Sequence, residues 1–408
     1  MKRGHLSDYF EGVAVKTLSA VETDPSRSHQ HEFGTTEKMR RFLGARQHKF
    51  EASYIWLSGE QESLPEYGSA TMYDSRLNQP HRGAEWRIYY DTNAVTALMR
   101  EGDTLFVAKR SDNHLIFIVV PQSSEILSQL LWLFGFEHQP GLRFVAAEFE
   151  GSEGGGLDFA ARLILDEIGV EYEDPNANSL DSIIAQFGTT LPTTAIFSKL
   201  ARDTLPEVDA FASPDLALMA WLDHEEAMFR RLERNVVRER IEQGFMSGSE
   251  VDVDGFLSFS LTVQNRRKSR MGLSFEHHLA ALFDCHGLSC AHPGRTERGN
   301  KPDFIFPGQA AYADPAFPVD ALTMLAAKSV CKERWRQVLP EADRITSKHL
   351  VTIEPGISPA QTDQMRAHDL QLVVPQALHS SYQPQQRQWL WQIADFIALV
   401  AERQATAG

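Results

Sequence analysis

Over the first 120 residues the apolar positions come in short bursts, at 13–15, 54–57, 86–90, 104–107 and 115–120, with Ser26, Gly59, Gly68 and Asn113 falling between them. Bursts of that length, punctuated by turn formers, predict strands of a barrel or sandwich. The spacing becomes helical at 125–134 and again at 157–168, the second just after Gly154, Gly155 and Gly156. Those glycines lack the Lys-Ser/Thr that a phosphate loop places on its ligand, so they read as a connection. The stretch 171–178 is acidic, polar and broken by Pro175, the composition of a linker. Beyond residue 181 a long amphipathic repeat at 216–243 and another at 273–283 predict helices. Candidate strands follow at 304–306, 322–330, 350–353 and 370–374, with a helix from about Lys332 and a last one over 386–401.

Three segments result: residues 1–170 as a mostly β N-terminal domain, 171–185 as linker, and 186–408 as an α/β domain. A chain of 408 residues that is 42% hydrophobic has the material for two cores. The formal net charge of −15 opposes any nucleic-acid contact over the whole surface and confines it to a local basic patch. Cys285, Cys290 and Cys331 are too few for a disulfide framework, and their spacing is not a zinc signature. The neighbouring His286 and His292 read as helix-end and loop histidines. With no apolar leader and no membrane-length run, the sequence reads as a cytoplasmic protein.

The candidate chemistry sits in the last third. Phosphodiester hydrolysis asks for carboxylates to hold a divalent metal and a positioned group to orient water. Asp303, Lys328 and Glu341 supply that inventory. Pro302 biases the residue before it toward extended backbone, and Lys328 stands in an otherwise apolar strand. Taken singly, Lys328 reads as a lysine on the exposed face of a strand and Asp303 as a loop residue, and Glu341 is one of several acids on an expected helix; it is the combination that points to a site. Lys332, Glu333 and Arg334 follow at once. Lysine or arginine donates to both acceptors of guanine and a carboxylate accepts from the cytosine amine, against the plain alternative of a charged first helical turn. Arg266, Arg267, Lys268 and Arg270 concentrate positive charge in an acidic chain and suit DNA phosphates. Glu276, in the next expected helix, is a possible extra acid or a solvated helix residue.

The stretches NRRKSRMGLSFEHHL, GNKPDFIFPGQAAYADPAFPVDALTMLAAKSVCKERWRQVLPEADRI and LVVPQALH resemble EcoRII-type restriction endonucleases of the PD-(D/E)XK nuclease superfamily. The resemblance implies an endonuclease core, a mixed sheet flanked by helices, in which Asp303 and Glu341 are metal ligands, Lys328 is the catalytic lysine, Tyr312, close to the site, is a further catalytic residue, and the cofactor is Mg2+. Ala326 stands where the superfamily usually has an acid, which moves the second carboxylate to Glu341. Pro340 lies directly before it and removes a helical donor. The resemblance also implies that Lys332, Glu333 and Arg334 read CC/GG steps in a CCWGG-like palindrome, and that two subunits of a homodimer each read a half-site. Arg266, Arg267, Lys268 and Arg270 would then lie on the DNA backbone or at the subunit interface.

At the N-terminus, the segments around Lys16, His31 and Arg76, with Arg82, Glu85 and Arg87, resemble the effector domain of the same enzymes, a DNA-binding pseudobarrel that binds a second target copy and restrains cleavage. The function expected is therefore an effector-dependent type II restriction endonuclease in a bacterial cytoplasm, acting on double-stranded DNA, with a cognate DNA methyltransferase in the same host. The rival readings are a repair or nicking nuclease on the same core and a non-catalytic DNA-binding regulator.

Overall fold

The computed structural model describes residues 5–23, 31–58, 65–79, 81–122, 124, 126–136, 139–149, 157–172, 177–247 and 250–407. Gly154, Gly155 and Gly156, Ser26 and Gly59 lie outside these residues, as does part of the 171–178 stretch. The chain separates into two compact units, Met1–Pro175 and Asn176–Gly408.

The first unit is built on an eight-stranded sheet. Its strands are β1 (Phe10–Thr17), β2 (Glu32–Gly34), β3 (His48–Trp56), β4 (Glu66–Asp74), β5 (Trp86–Tyr90), β6 (Thr104–Arg110), β7 (His114–Val120) and β8 (Val145–Glu148), in the order β2-β5-β4-β3-β7-β6-β1-β8. All pairings are antiparallel except β3 with β7. Among the described residues the unit also carries the α-helices α1 (Ala20–Thr23), α2 (Glu37–Leu43), α3 (Ala94–Leu98), α4 (Ile126–Leu133) and α5 (Phe159–Glu167). One face of the sheet packs on apolar residues of α4 and α5 and the other on those of α2 and α3. Cover on both faces explains why β6 and β7 read as continuous apolar runs without strand alternation. Leu105, Phe106, Val107 and Ala108 are all buried, as are residues 115–120.

The second unit begins with helical turns at Ala177–Leu180, α6 (Asp181–Ile184) and Ala185–Phe187. Leu180 and Ile184 pack with Phe197, Ala201, Met228, Phe229 and Leu232. These last residues belong to α7 (Thr194–Asp203) and α8 (Pro214–Gln243), which lead through a hairpin, β9 (Met246–Ser247) and β10 (Glu250–Val251), into the 33-residue α9 (Val253–Cys285). The remaining strands are β11 (Phe304–Phe306), β12 (Thr323–Lys328), β13 (Lys348–Thr352) and β14 (Leu370–Val373). With them come α10 (Gln309–Ala313), α11 (Pro359–Ala367), α12 (Pro384–Arg387) and α13 (Ile393–Ala407). The sheet runs β11-β12-β13-β14, antiparallel at its first pairing and parallel at the next two. It is the mixed sheet flanked by helices expected of the endonuclease core. Phe283 of α9 meets Phe304 and Phe306 edge-on at 5.2 Å, and Phe396 of α13 closes the cluster.

Two elements differ from their sequence patterns. The helix expected from Lys332 is a 3-10 segment, Lys332–Gln337, which stops before Glu341; Pro340 cannot extend a helix. The expected helix over 386–401 is split. Trp391 pairs with Val373 as an added bridge at the sheet edge. Helix α13 then starts at Ile393, where buried Asp215 of α8 accepts from the backbone N–H groups of Ile393 and Ala394, each at 3.0 Å. That carboxylate takes up donors a helix N-terminus leaves unpaired.

Candidate active site

Asp303 ends the loop that feeds β11, and Lys328 is the last residue of the adjacent β12. Because Phe304 pairs with Leu325 in an antiparallel register, the start of one strand lies beside the end of the next. Asp303 Oδ2 accepts from Lys328 Nζ at 2.8 Å and from the Ala327 N–H at 2.7 Å. Both side chains keep about a sixth of their surface exposed, 16% each, so the pair is fixed by the sheet yet open to a ligand.

Glu341 completes the group. Burial pushes its carboxyl up to about 7; Lys328 and Lys348 pull the other way and Asp303 adds to the rise. Among the described residues its buried Oε2 has no hydrogen-bond partner. A buried acceptor left in that condition costs free energy unless something fills the place. Glu276, on α9, also faces this site: burial raises its pKa, the Asp303 charge adds to the rise, and His292 and Lys328 oppose it. His292 Nδ1 donates to the Asp303 carbonyl at 2.8 Å, its Nε2 lies 3.8 Å from Glu276, and its ring stacks on Phe304 at 4.4 Å. Nothing in the His292 spacing marks this role; it follows from the antiparallel bridge between Ala291 and Ile305.

Among the described residues no three His, Cys, Asp or Glu side chains form a ready metal cage. Mg2+ does not need one, since it keeps several waters and takes one or two carboxylates plus substrate phosphate oxygens. The unpartnered Glu341 oxygen and the Asp303 carboxylate fit that donor set.

The Tyr312 hydroxyl, expected near the site, donates to Glu297 at 2.6 Å. Glu333 accepts from Gln361 at 2.8 Å and also pairs with Arg336, while Arg334 is exposed. The backbone N–H groups of Cys331 and Lys332 donate to Glu354 Oε2 at 2.5 and 2.9 Å. This helix N-terminus thus carries a carboxylate of its own, which sequence reasoning did not anticipate. Lys332 is held at φ 35°, a conformation non-glycine residues adopt only where their surroundings impose it.

The basic cluster on α9 divides. Arg270 is 6% exposed; its guanidinium donates to Glu225 at 2.7 Å and stacks on Phe197 and Phe229 at 4.4 and 4.5 Å. Arg267 donates to Glu233, which is buried, at 2.7 Å. Arg270 is spent tying α9 to α7 and α8, which corrects its expected place on the DNA backbone or at a subunit interface, whereas Arg267 keeps a third of its side chain exposed. Lys268 is exposed and Arg266 half-buried.

In the first unit Arg76, Glu85 and Arg87 come together where β4 meets β5. Arg76 pairs with Glu85, and Arg87 pairs with Glu85 at 2.6 Å and with Glu32. Arg82 is exposed and reaches Gln79 at 3.4 Å, and His31 lies edge-on to Tyr90 at 5.9 Å. Lys16 is the exception. It is buried, paired with Glu22 and laid on the Phe144 ring, so it is not a surface contact for DNA as expected.

Residues 229–397 match the family model described as EcoRII C terminal. This part of the chain, which contains Asp303, Lys328, Glu341 and the Lys332–Arg334 triplet, is thus similar to the C-terminal region of EcoRII. The chain is 45% identical over 186 residues to the Type II restriction enzyme EcoRII of Escherichia coli, a match that covers 45% of this chain and 45% of that protein. The matched stretch thus spans less than half the length of that relative. Two solved structures overlay the chain in part. Metal-depleted Ecl18kI in complex with uncleaved, modified DNA covers 56% of this chain and 84% of its own, with TM-score 0.43 and 15% identity. The restriction endonuclease PspGI-substrate DNA complex covers 57% and 94%, with TM-score 0.41 and 16% identity. No helix among the described residues is long and apolar enough to cross a membrane.

Proposed function

We propose that the chain is a magnesium-dependent type II restriction endonuclease that cuts double-stranded DNA at a CCWGG-like palindrome to leave 5′-phosphates, as a homodimer whose N-terminal units bind a second copy of the site and restrain cleavage. The observation that carries this reading is the Asp303 carboxylate held between Lys328 Nζ and the Ala327 N–H beside the unpartnered oxygen of Glu341. Asp303 and Glu341 would hold the metal, which when bound neutralises charge on the scissile phosphate and lowers the pKa of its water. Lys328 contributes a fixed cation that orients the attacking water in line with phosphorus. Lys332, Glu333 and Arg334 begin four residues further on and read guanine and cytosine edges; Arg76, Arg82, Glu85, Arg87 and His31 serve the second copy.

Digestion of intact phage DNA with Mg2+ tests the reading. Discrete fragments whose mapped ends share one palindrome support it, random or lesion-dependent ends favour the repair or nicking nuclease, and inertness on every DNA favours the regulator.

Restraint by the first unit has its own test. A fragment starting at Asn176 keeps Leu180 and Ile184 in the core they share with α7 and α8. It is expected to cleave single-site DNA faster than the full chain, and equal rates would remove the restraint.

The raised Glu341 pKa gives a further expectation. In the metal-free protein this group binds its proton more tightly than in the unfolded chain, so its contribution to stability is lost as pH rises from the ordinary value of 4.5 through about 7. Divalent metal binding at about pH 6 should therefore release a proton. Calorimetry in two buffers of different ionisation enthalpy reads this, and Glu341→Gln should abolish it.

A further inference from the structure

The turn that carries Glu341 is bonded on both sides to the segment that leads into Asp303. Asn300 Nδ2 donates to the Pro340 carbonyl at 2.8 Å, the Ala342 N–H reaches Thr296 Oγ1 at 3.4 Å, and the Asp343 N–H donates to Glu297 Oε2 at 3.2 Å. That Glu297 oxygen also accepts from the Tyr312 hydroxyl, and the Arg344 N–H points back at the hydroxyl from 3.5 Å. The Arg344 guanidinium donates to the carbonyls of Tyr312, Asp314 (2.9 Å) and Phe317 (3.0 Å). Ala342 is fully buried at φ 52°, a left-handed backbone that its surroundings must enforce. The same residues border an open pocket of about 280 Å3, lined in part by Arg295, Thr296, Glu297, Tyr312 and Arg344.

We propose that Glu297 and Tyr312 are positioning residues, a latch that joins the 296–300 segment to the turn at 342–344 and so sets the separation of Asp303 and Glu341 on which metal binding depends. Tyr312 acts through Glu297 and the turn, not on the reacting atoms: its hydroxyl already donates a hydrogen bond to the Glu297 carboxylate. The inference rests on the reading of Asp303 and Glu341 as metal ligands. Groups bonded directly to a metal ligand are worth roughly 10–100-fold in affinity when removed; Glu297 and Tyr312 act one step further out, through the backbone of the turn, so the lower end of that range applies.

The test is Mn2+ binding to the full chain, followed by electron paramagnetic resonance, beside cleavage rates at limiting and saturating metal. Tyr312→Phe and Glu297→Ala are each expected to weaken Mn2+ binding roughly 10-fold, the lower end of what loss of a ligand's own partner costs, with the double variant no weaker than either alone. Cleavage should fall far more at limiting than at saturating metal, and metal-free binding to target DNA should match wild type. Glu297→Gln keeps a carbonyl oxygen for both donors and should recover most of the affinity. Where Glu297→Ala fails to fold, Tyr312→Phe, which loses a single oxygen, carries the measurement. If wild-type Mn2+ binding depends on Asp303 but both variants bind as tightly as wild type, the latch is overturned alone. If wild-type Mn2+ binding does not depend on Asp303, the metal reading falls and the latch with it. A Tyr312→Phe variant that loses cleavage equally at all metal concentrations makes Tyr312 a catalytic residue and also overturns the latch.

Discussion

Asp303→Ala is expected to lower the single-turnover cleavage rate on the order of 10³-fold or more, while binding to target DNA without divalent metal persists. The effect is large because one carboxylate serves two ends. Oδ2 pins Lys328 Nζ at 2.8 Å and the β12 backbone at Ala327, and the same group is a proposed metal ligand. Alanine removes the ligand and frees the lysine together, so the loss exceeds what either role would give. Binding survives because the proposed base readers, Lys332–Arg334, are anchored through bonds of Glu354 to the Cys331 and Lys332 backbone and of Gln361 to Glu333, and not by Asp303. Measured cleavage at wild-type rate would sink the assignment of this site.

The second large effect is on stability. Arg270→Ala should destabilise the second unit by about 3–5 kcal/mol, the cost of leaving a buried charge without its partner. Glu225 is the group left behind. It is almost wholly buried, takes Arg270 Nη2 at 2.7 Å, and lies 2.9 Å from His278 Nε2, whose Nδ1 accepts from Arg202 at 3.0 Å. The lost guanidinium also vacates the space between Phe197 and Phe229. Lys268→Ala, two residues away on the exposed side of the same helix, should stay within about 0.5 kcal/mol. Urea melts of the two variants make the comparison, and an Arg270→Ala midpoint equal to that of Lys268→Ala would refute the buried network.

These two residues show what a sequence discloses. Asp303 and Lys328 were legible because chemistry there demands unusual neighbours: an acid after proline, and a lysine in an apolar strand. The strands were legible from their apolar runs, and α8 and α9 from their periodicity. Arg270 was misread because a run of basic residues looks alike whether it faces solvent or not. Only the partner helix decides, and Glu225 lies 45 residues upstream. Lys16 was carried over from the N-terminal resemblance, and sequence alone does not show that Glu22 and Phe144 take it up. Glu354, His292 and Glu297 left no trace in the pattern, since each acts through backbone groups or loops whose approach is set by the sheet register. The helix expected after Lys332 failed on Pro340 and on the short distance available before β13.

The bond from Glu354 to the backbone of Cys331 and Lys332 bears on how such a protein can change its target. The proposed reader leaves the sheet four residues after Lys328 and is stapled to the segment just beyond β13, so selectivity and scission share one short piece of scaffold. A new specificity cannot be transplanted here as a cassette. Exchanging the triplet together with its flanks would disturb Lys328, whereas point changes at Lys332, Glu333 or Arg334 that respect the Glu354 staple leave the cutting apparatus in register. Variation in this lineage should accordingly proceed by single side chains on a constant backbone, and directed evolution of altered targets is best confined to those positions.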